Sequence, residues 1–192
     1  MAKPQLVELM NLPDPLLQDN FNMYFTSAPA LTEQEIRQLR LQCMSTAIPG
    51  RTIENALVPL FGYQLNFAGR NTTTGTFTVT LVETRALFVN RCLKRWTDMC
   101  RSKLTGHGVS KVVYAGRAVI ELLSEGGLIA GEIELINVWP ETLPETNLDG
   151  SATGIVQNAC TFKFDEFVWR NAQGAEVTSA VAPTSTGLED DA

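Results

Sequence analysis

Glu132 and Glu134 are paired carboxylates by spacing, and two acids side by side can divide general-acid and general-base work between them. They lie in a stretch that alternates like a β-strand, where residues i and i+2 simply share a face. The plainer reading is a wet sheet surface. His107 is the only histidine, set between Gly106 and Gly108, with no Cys, Asp or Glu close by in sequence to complete a metal site or a triad. Cys43, Cys92, Cys100 and Cys160 show no C-x-x-C spacing. Cys92 and Cys100 sit on an expected helix, roughly 12 Å apart along its axis, which is too far for a disulfide between them. The four are read as free buried thiols of a protein made in a reducing compartment, with an inter-subunit disulfide as the alternative. There is no G-x-S-x-G, no P-loop, no G-x-G-x-x-G after a strand and no H-E-x-x-H. The expectation is a protein that is not an enzyme and holds no metal or cofactor.

The elements that carry these residues are mostly strands. Two long runs, 128–139 and 154–169, flank a polar segment at 140–150 whose prolines lack ladder donors. Alternation in the first run puts Ile129, Ile133, Leu135 and Trp139 on one side and Glu132 and Glu134 on the other. In the second run Cys160, Phe162 and Phe164 share a face, after which the apolar phase shifts to Phe167 and Trp169. A β-bulge or a strand crossing between two packing environments would produce that shift. Such a sheet needs a packing partner for its greasy face and a reason for its wet one.

Earlier in the chain, Phe21, Met23 and Phe25 alternate with Asn20, Asn22, Tyr24 and Thr26 as a first strand. Thr32 and Glu35 have capping-box spacing, so a short helix is expected at 33–38, with a strand favoured over 38–47. Residues 51–60 read as extended, Phe61 to Ala68 as a strand, and Gly69 to Thr72 as a turn. Phe77, Val79 and Leu81 alternate with Thr76, Thr78 and Thr80. Over 85–102 the period changes: Phe88, Cys92, Trp96, Met99 and Cys100 recur every three or four residues, which predicts a helix with a core face. Val112 to Leu123 reads as a strand, and 124–127 as a hairpin turn.

The 192 residues suffice for one domain with a substantial core. The expected division is an N-terminal arm at 1–19, a β domain at 20–170 and a polar, acidic C-terminal arm at 171–192. Each arm is expected to be held by a neighbouring chain rather than by its own domain. A net charge of −6 excludes a chain-wide cationic nucleic-acid footprint. No run approaches the roughly 20 apolar residues of a membrane span, and no signal peptide is expected at Met1. Arg91, Lys94, Arg95, Arg101 and Lys103 concentrate positive charge around the expected helix. They form either a solvated face or an electropositive docking patch for an acidic partner.

The segment 41–49 (Leu-Gln-Cys-Met-Ser-Thr-Ala-Ile-Pro) resembles an early strand of the tail tube proteins of contractile-tailed bacteriophages. The runs 133–140, ending Trp139-Pro140, and 158–169 are similar to the closing strands of that family, and the likeness covers roughly residues 20–169. It implies a mainly β fold: a sandwich or barrel-like pair of antiparallel sheets with one flanking helix at about 85–102. It also implies hexameric rings whose inner strands join in a continuous β-barrel, stacked into a tube. The implied partners are further copies of the chain, the tail sheath protein, the tape measure protein and baseplate proteins. Double-stranded DNA would pass through without specific binding, in a virion tail assembled in the host cytoplasm. The candidate lumen-facing residues are then Thr76, Thr78, Thr80, Glu132 and Glu134, where negative charge would repel phosphate. Arg91, Lys94 and Arg95 would face the sheath. The alternatives are a baseplate tube initiator, a type VI secretion tube protein, or a monomeric β-barrel carrier. The threonine and glutamate rows offer a carrier little apolar interior.

Overall fold

The computed structural model describes residues 16–146, 148, 151, 153–172 and 174–177. Strand β1 (Phe21–Ser27), helix α1 (Glu33–Leu41) and strands β2 (Cys43–Thr46), β3 (Arg51–Leu60), β4 (Tyr63–Thr73) and β5 (Thr76–Val82) come first. Helices α2 (Phe88–Cys100) and α3 (Lys111–Tyr114) precede strands β6 (Gly116–Leu123), β7 (Ile129–Thr142), β8 (Gln157–Lys163) and β9 (Glu166–Asn171). All pairings are antiparallel, in the order β1-β6-β7-β8-β5-β2, with β9 also on β7 and the β3-β4 hairpin standing apart.

One strand belongs to both layers. Residues up to Ile136 of β7 pair with β6 and β9, Val138 still pairs with Gly116 of β6, and Trp139, Pro140 and Thr142 pair with β8. The join is Asn137, an extra residue with φ +59°. Asn is among the few non-glycine residues that adopt this conformation at modest cost. Its side-chain amide donates to Asp165 at 2.8 Å, and Asp165 also takes Lys111 Nζ, so the bend is tied to α3 and to the β8–β9 turn. Lys111 and Asn137 together hold the Asp165 carboxyl below its usual range, Lys111 foremost. Gly116 sits opposite the bend, where a Cβ would lie 2.1 Å from the Ser27 carbonyl oxygen. Only glycine allows β1 and β6 that approach.

Between the layers lies the core. Met23, Phe25, Ala118, Ile120, Ile133, Leu135 and Phe167 come from one layer, and Phe77, Val79, Leu81, Cys160 and Phe162 from the other. Helix α2 closes it with Phe88, Val89, Cys92, Leu93 and Trp96. The Trp96 indole stands edge-on to Phe25 at 5.3 Å and donates to the Tyr114 carbonyl at 2.8 Å, so its N–H is not left unsatisfied.

Several expectations are corrected. Helix α1 runs through Leu41, and the strand expected from residue 38 begins only at Cys43. The capping box is present, and helical phase buries Leu39 while leaving Leu41 exposed. Trp139 does not share the face of Ile133 and Leu135: the extra residue at Asn137 reverses the phase, Val138 enters the core, and Trp139 meets Tyr114. Pro140 does not end the strand. There β7 is the edge of the second layer, and a missing donor on the open side costs little. The run 154–169 is two strands, broken at Phe164 and Asp165, and its phase shift is a crossing between layers. Residues 111–114 are helical rather than extended. The arms at 1–19 and 171–192 lie largely outside the described residues.

Helix α2 starts at Phe88 because its first turn is capped from a distance. Leu87 has φ +52° and offers no side-chain cap. Thr84 Oγ1 instead accepts from Phe88 N at 3.3 Å, and Glu83 accepts from Val89 N and Asn90 N at 3.0 Å each. Glu83 also accepts from the amide of buried Asn158 at 2.9 Å, joining the helix to β8. Glu83→Ala strips acceptors from two helix donors and a buried amide, so it should destabilise the fold by about 2–4 kcal/mol. Urea unfolding is the check, and a loss below about 0.5 kcal/mol would contradict this role for Glu83.

Candidate self-association surfaces

The β3-β4 hairpin presents apolar surface that no described residue outside it covers. Every residue of β3, and all of β4 except Thr73, is exposed. Cross-strand partners share a face, and the pairs Ala56/Phe67, Val58/Leu65 and Leu60/Tyr63 make the tip half of one face apolar, with Glu54 and Thr72 nearer the root. The opposite face holds Asn55, Asn66 and Gln64, with Asn55 Nδ2 donating to Asn66 Oδ1 at 2.7 Å. At the tip, Phe61 and Gly62 have φ +49° and +84°, the left-handed pair of a tight hairpin turn. Phe61 is 98% exposed there. A bulky apolar residue held left-handed and in water is costly unless something receives it.

The turn expected at Gly69 is a bulge inside β4. Gly69 and Arg70 together oppose Glu54, and a Cβ on Gly69 would stand 2.8 Å from the Glu54 carbonyl oxygen. Glycine serves a bulge as readily as a turn. Among the described residues the hairpin is anchored at its root, where Thr74 N donates to Gly50 O and the Arg51 guanidinium lies over Phe167 at 5.3 Å. A two-stranded hairpin of this kind is marginally stable alone in water.

Open strand edges are a second surface. The layer β1-β6-β7-β9 has β1 at one side and β9 at the other, each paired on one side only among named strands. Its outer face holds the sequence-predicted Glu132 and Glu134, and the two differ. Glu134 accepts from Arg170 at 2.6 Å and from Arg117 at 3.0 Å. Arg170 above all, with Arg117, holds its carboxyl below the usual range. Among the described residues Glu132 has no ion pair within 4 Å. Sequence reasoning missed Glu121, which gathers its neighbours on this face. Glu121 accepts from Tyr24 Oη at 2.8 Å and from Asn22 Nδ2 at 3.2 Å, with Arg40 at 3.9 Å. Burial and that bond to Glu121 push the Tyr24 phenol up to about 12. The i, i+2 alternation of Asn22 and Tyr24 marked their shared face, but nothing in sequence marked their partner.

Thr76, Thr78 and Thr80 stand on β5, in the other layer, with Phe77, Val79 and Leu81 turned into the core. Both layers turn their apolar faces to one core, so the threonine and glutamate rows point away from it in opposite directions. The two rows therefore do not share one surface.

Arg91, Lys94 and Arg95 are exposed on α2. Arg95 is committed: its Nε donates to Ala30 O at 2.7 Å and its guanidinium pairs with Glu35, tying α2 to the start of α1. Thr32 N first, and Arg95 after it, bring the Glu35 carboxyl down to about 2. Among the described residues Arg91 and Lys94 make no ion pair, and no group of His, Cys, Asp and Glu has the makings of a metal site.

This architecture is the fold of tube and tube-end proteins of contractile injection machines, so the likeness drawn from residues 20–169 is borne out as a fold. One similar structure is a chain of the tube-terminating cap of the anti-feeding prophage, at 11% identity over 83% of this chain and 93% of that one, with a TM-score of 0.61. Another is a chain of the six-fold symmetrised baseplate of the same prophage, at 14% identity over 84% and 99%, with a TM-score of 0.60. A third belongs to the sheath-tube complex of an extracellular contractile injection system in its extended state, at 11% identity over 88% and 99%, with a TM-score of 0.58. No protein-family model matches the chain, and no curated protein matches it in sequence.

All four cysteines are unpaired. Burial raises the thiols of Cys43 and Cys92 to about 11, that of Cys160 to about 12, and that of Cys100 in the same direction. A raised folded-state pKa favours the neutral thiol, so this stability is complete below pH 9 and declines as pH climbs towards 11. At pH 8 the folded protein should react with a thiol-specific disulfide reagent far more slowly than the urea-unfolded chain. Comparable rates in the two states would show thiolates available in the fold.

Proposed function

We propose that this chain is a self-assembling structural subunit of a contractile-tail tube, and the exposed apolar face of the β3-β4 hairpin carries the reading. Burying side chains such as Val58, Leu60, Tyr63, Leu65 and Phe67 against another copy would contribute on the order of 10 kcal/mol before the entropic costs of association. A stacked ring supplies that cover. Within a ring, the β1 edge of one copy meets the β9 edge of the next. Six copies with four strands each would close a barrel of roughly 24 strands. Closure removes edges that would otherwise invite aggregation.

In that ring the outer face of β1-β6-β7-β9 is the channel wall. Glu132 and Glu134 line it, and the threonine row of β5 lies on the far side. The wall is not simply acidic: Arg40 stands against Glu121, Arg117 and Arg170 pair with Glu134, and Arg170 lies opposite Glu132. Cations already held by neighbouring carboxylates are poorly placed to grip phosphate, so double-stranded DNA would slide past without adhering. Arg91 and Lys94 face outward towards an acidic segment of the sheath. Tape measure and baseplate proteins complete the partners, and the virion tail is the location. A tube-end role is the second reading, favoured by likeness to cap and baseplate chains as close as that to the tube complex. A main tube subunit stacks without limit, whereas an end piece stops at a single ring.

The test is a hairpin variant in which Val58→Asp and Leu65→Asp place charges on the apolar face. Both residues lie outside the core, so circular dichroism and urea unfolding should match the parent chain. Stacked assemblies seen by sedimentation should fall at least about tenfold at equal concentration. Unchanged stacking would overturn the hairpin's role and, with it, the reading it carries.

A further inference from the structure

The outer edge of β9 is not entirely open. After Asn171 the chain reverses through Gly174, which has φ +76°, and runs back beside β9. Asn171 N donates to Ala175 O at 2.9 Å, and Val177 N donates to Trp169 O at 2.8 Å. Ala175 N is held by the Asn171 side chain at 2.9 Å, which fixes the reversal. Arg170 and Glu176 form the bridge between these bonds. Residues 174–177 thus lie on β9 as the beginning of another strand, over its C-terminal half. By the same alternation Phe167 turns its backbone groups to this side as well, past the last bond of residues 174–177. A groove of about 530 Å³ runs along this edge, lined by Arg51, Phe167, Val168, Trp169, Glu176 and Val177.

We propose that residues 174–177 are a displaceable strap that competes with a neighbouring copy for the β9 edge and so holds back ring closure. The inference rests on the reading that β9 is a ring-forming edge. Among the described residues two backbone bonds pair the strap with β9, whereas the β1 strand of a neighbour, seven residues long, can follow β9 along its whole length. The longer pairing wins only when a second copy is near in the right register, so the strap sets a concentration threshold. It also shields a bare edge from indiscriminate strand pairing while the subunit is alone. The backbone groups of Glu176 point away from β9, because it occupies the non-bonded position of the bridge.

That geometry gives a paired test on the full chain. Val177→Pro removes the donor to Trp169 O at an exposed position, whereas Glu176→Pro removes only an outward-facing donor. Sedimentation velocity over a concentration series reads assembly, and hydrogen exchange at the Asn171 amide reports release of the strap. Val177→Pro should speed that exchange and lower the concentration for half-assembly about fivefold, as expected for one net hydrogen bond. Glu176→Pro should leave assembly near that of the parent. If Val177→Pro releases the strap yet assembles no more readily than a parent that does assemble, the strap is not a competitor and the proposal falls. If both variants assemble worse, the strap is itself the pairing strand, which also overturns it. If parent and variants all remain monomeric at every concentration, the ring reading fails together with the strap.

Discussion

The reversal of phase at Asn137 is the constraint on which the rest of the molecule depends. It lets β7 serve both layers, with Ile133, Leu135 and Val138 paired to β6 and turned into a single core, and Trp139 onward paired to β8. Without it β7 would continue straight, and β8 and β9 would have no reason to part at Asp165. Asp165 is the point at which three elements meet: the β8–β9 break, the Asn137 bulge and Lys111 on α3. The carboxylate is exposed, but its donors come from residues far apart in sequence. Forming that contact therefore coincides with forming the fold, which is what a cooperative domain requires.

From the bend follows a division of labour between the layers. One layer ends in strands open for pairing and carries a dense lattice of carboxylates and guanidiniums on its outer face. The other sends out the hairpin whose apolar side the subunit does not cover. Neither feature helps an isolated monomer: an open edge invites aggregation, and a bare apolar face is a solubility cost. In the proposed ring both are covered, so the same surfaces that cost the single chain stability would stabilise that assembly. Capping of α2 by Glu83 and of α1 by Thr32 and Glu35 shows local structure being completed internally where no partner is expected. The hairpin is the conspicuous exception.

Much of this was legible in the residues. Period-2 alternation located β1, β5 and β7, period 3.6 located α2, and the changed phase between Phe164 and Phe167 marked the crossing between layers. What was illegible has physical causes. Leu39, Leu41 and Cys43 fit strand spacing as well as helix spacing, and only packing shows that Leu39 alone is buried. Gly69 serves a bulge or a turn equally. Pro140 breaks a central strand but is tolerated at an edge, and an edge is a tertiary property. The tip at Phe61 and Gly62 lacks the Asn-Gly signature of its turn type, so it was absorbed into the strand. The threonine and glutamate rows were both recognised as wet faces, yet alternation assigns a face within a sheet and not a side of the molecule. That assignment came from the pairing of β5 with β8 and of β7 with β9.

The central claim is that the open edges and the apolar hairpin face are surfaces for other copies of the same chain. Electron microscopy of the purified full-length protein, imaged at rising concentration beside its mass in solution, addresses it most directly. The account predicts closed rings with a central channel, stacking as concentration rises, with β-strands continuous from one subunit to the next around the channel. A single monodisperse monomer at every concentration, with the hairpin still exposed, would contradict it.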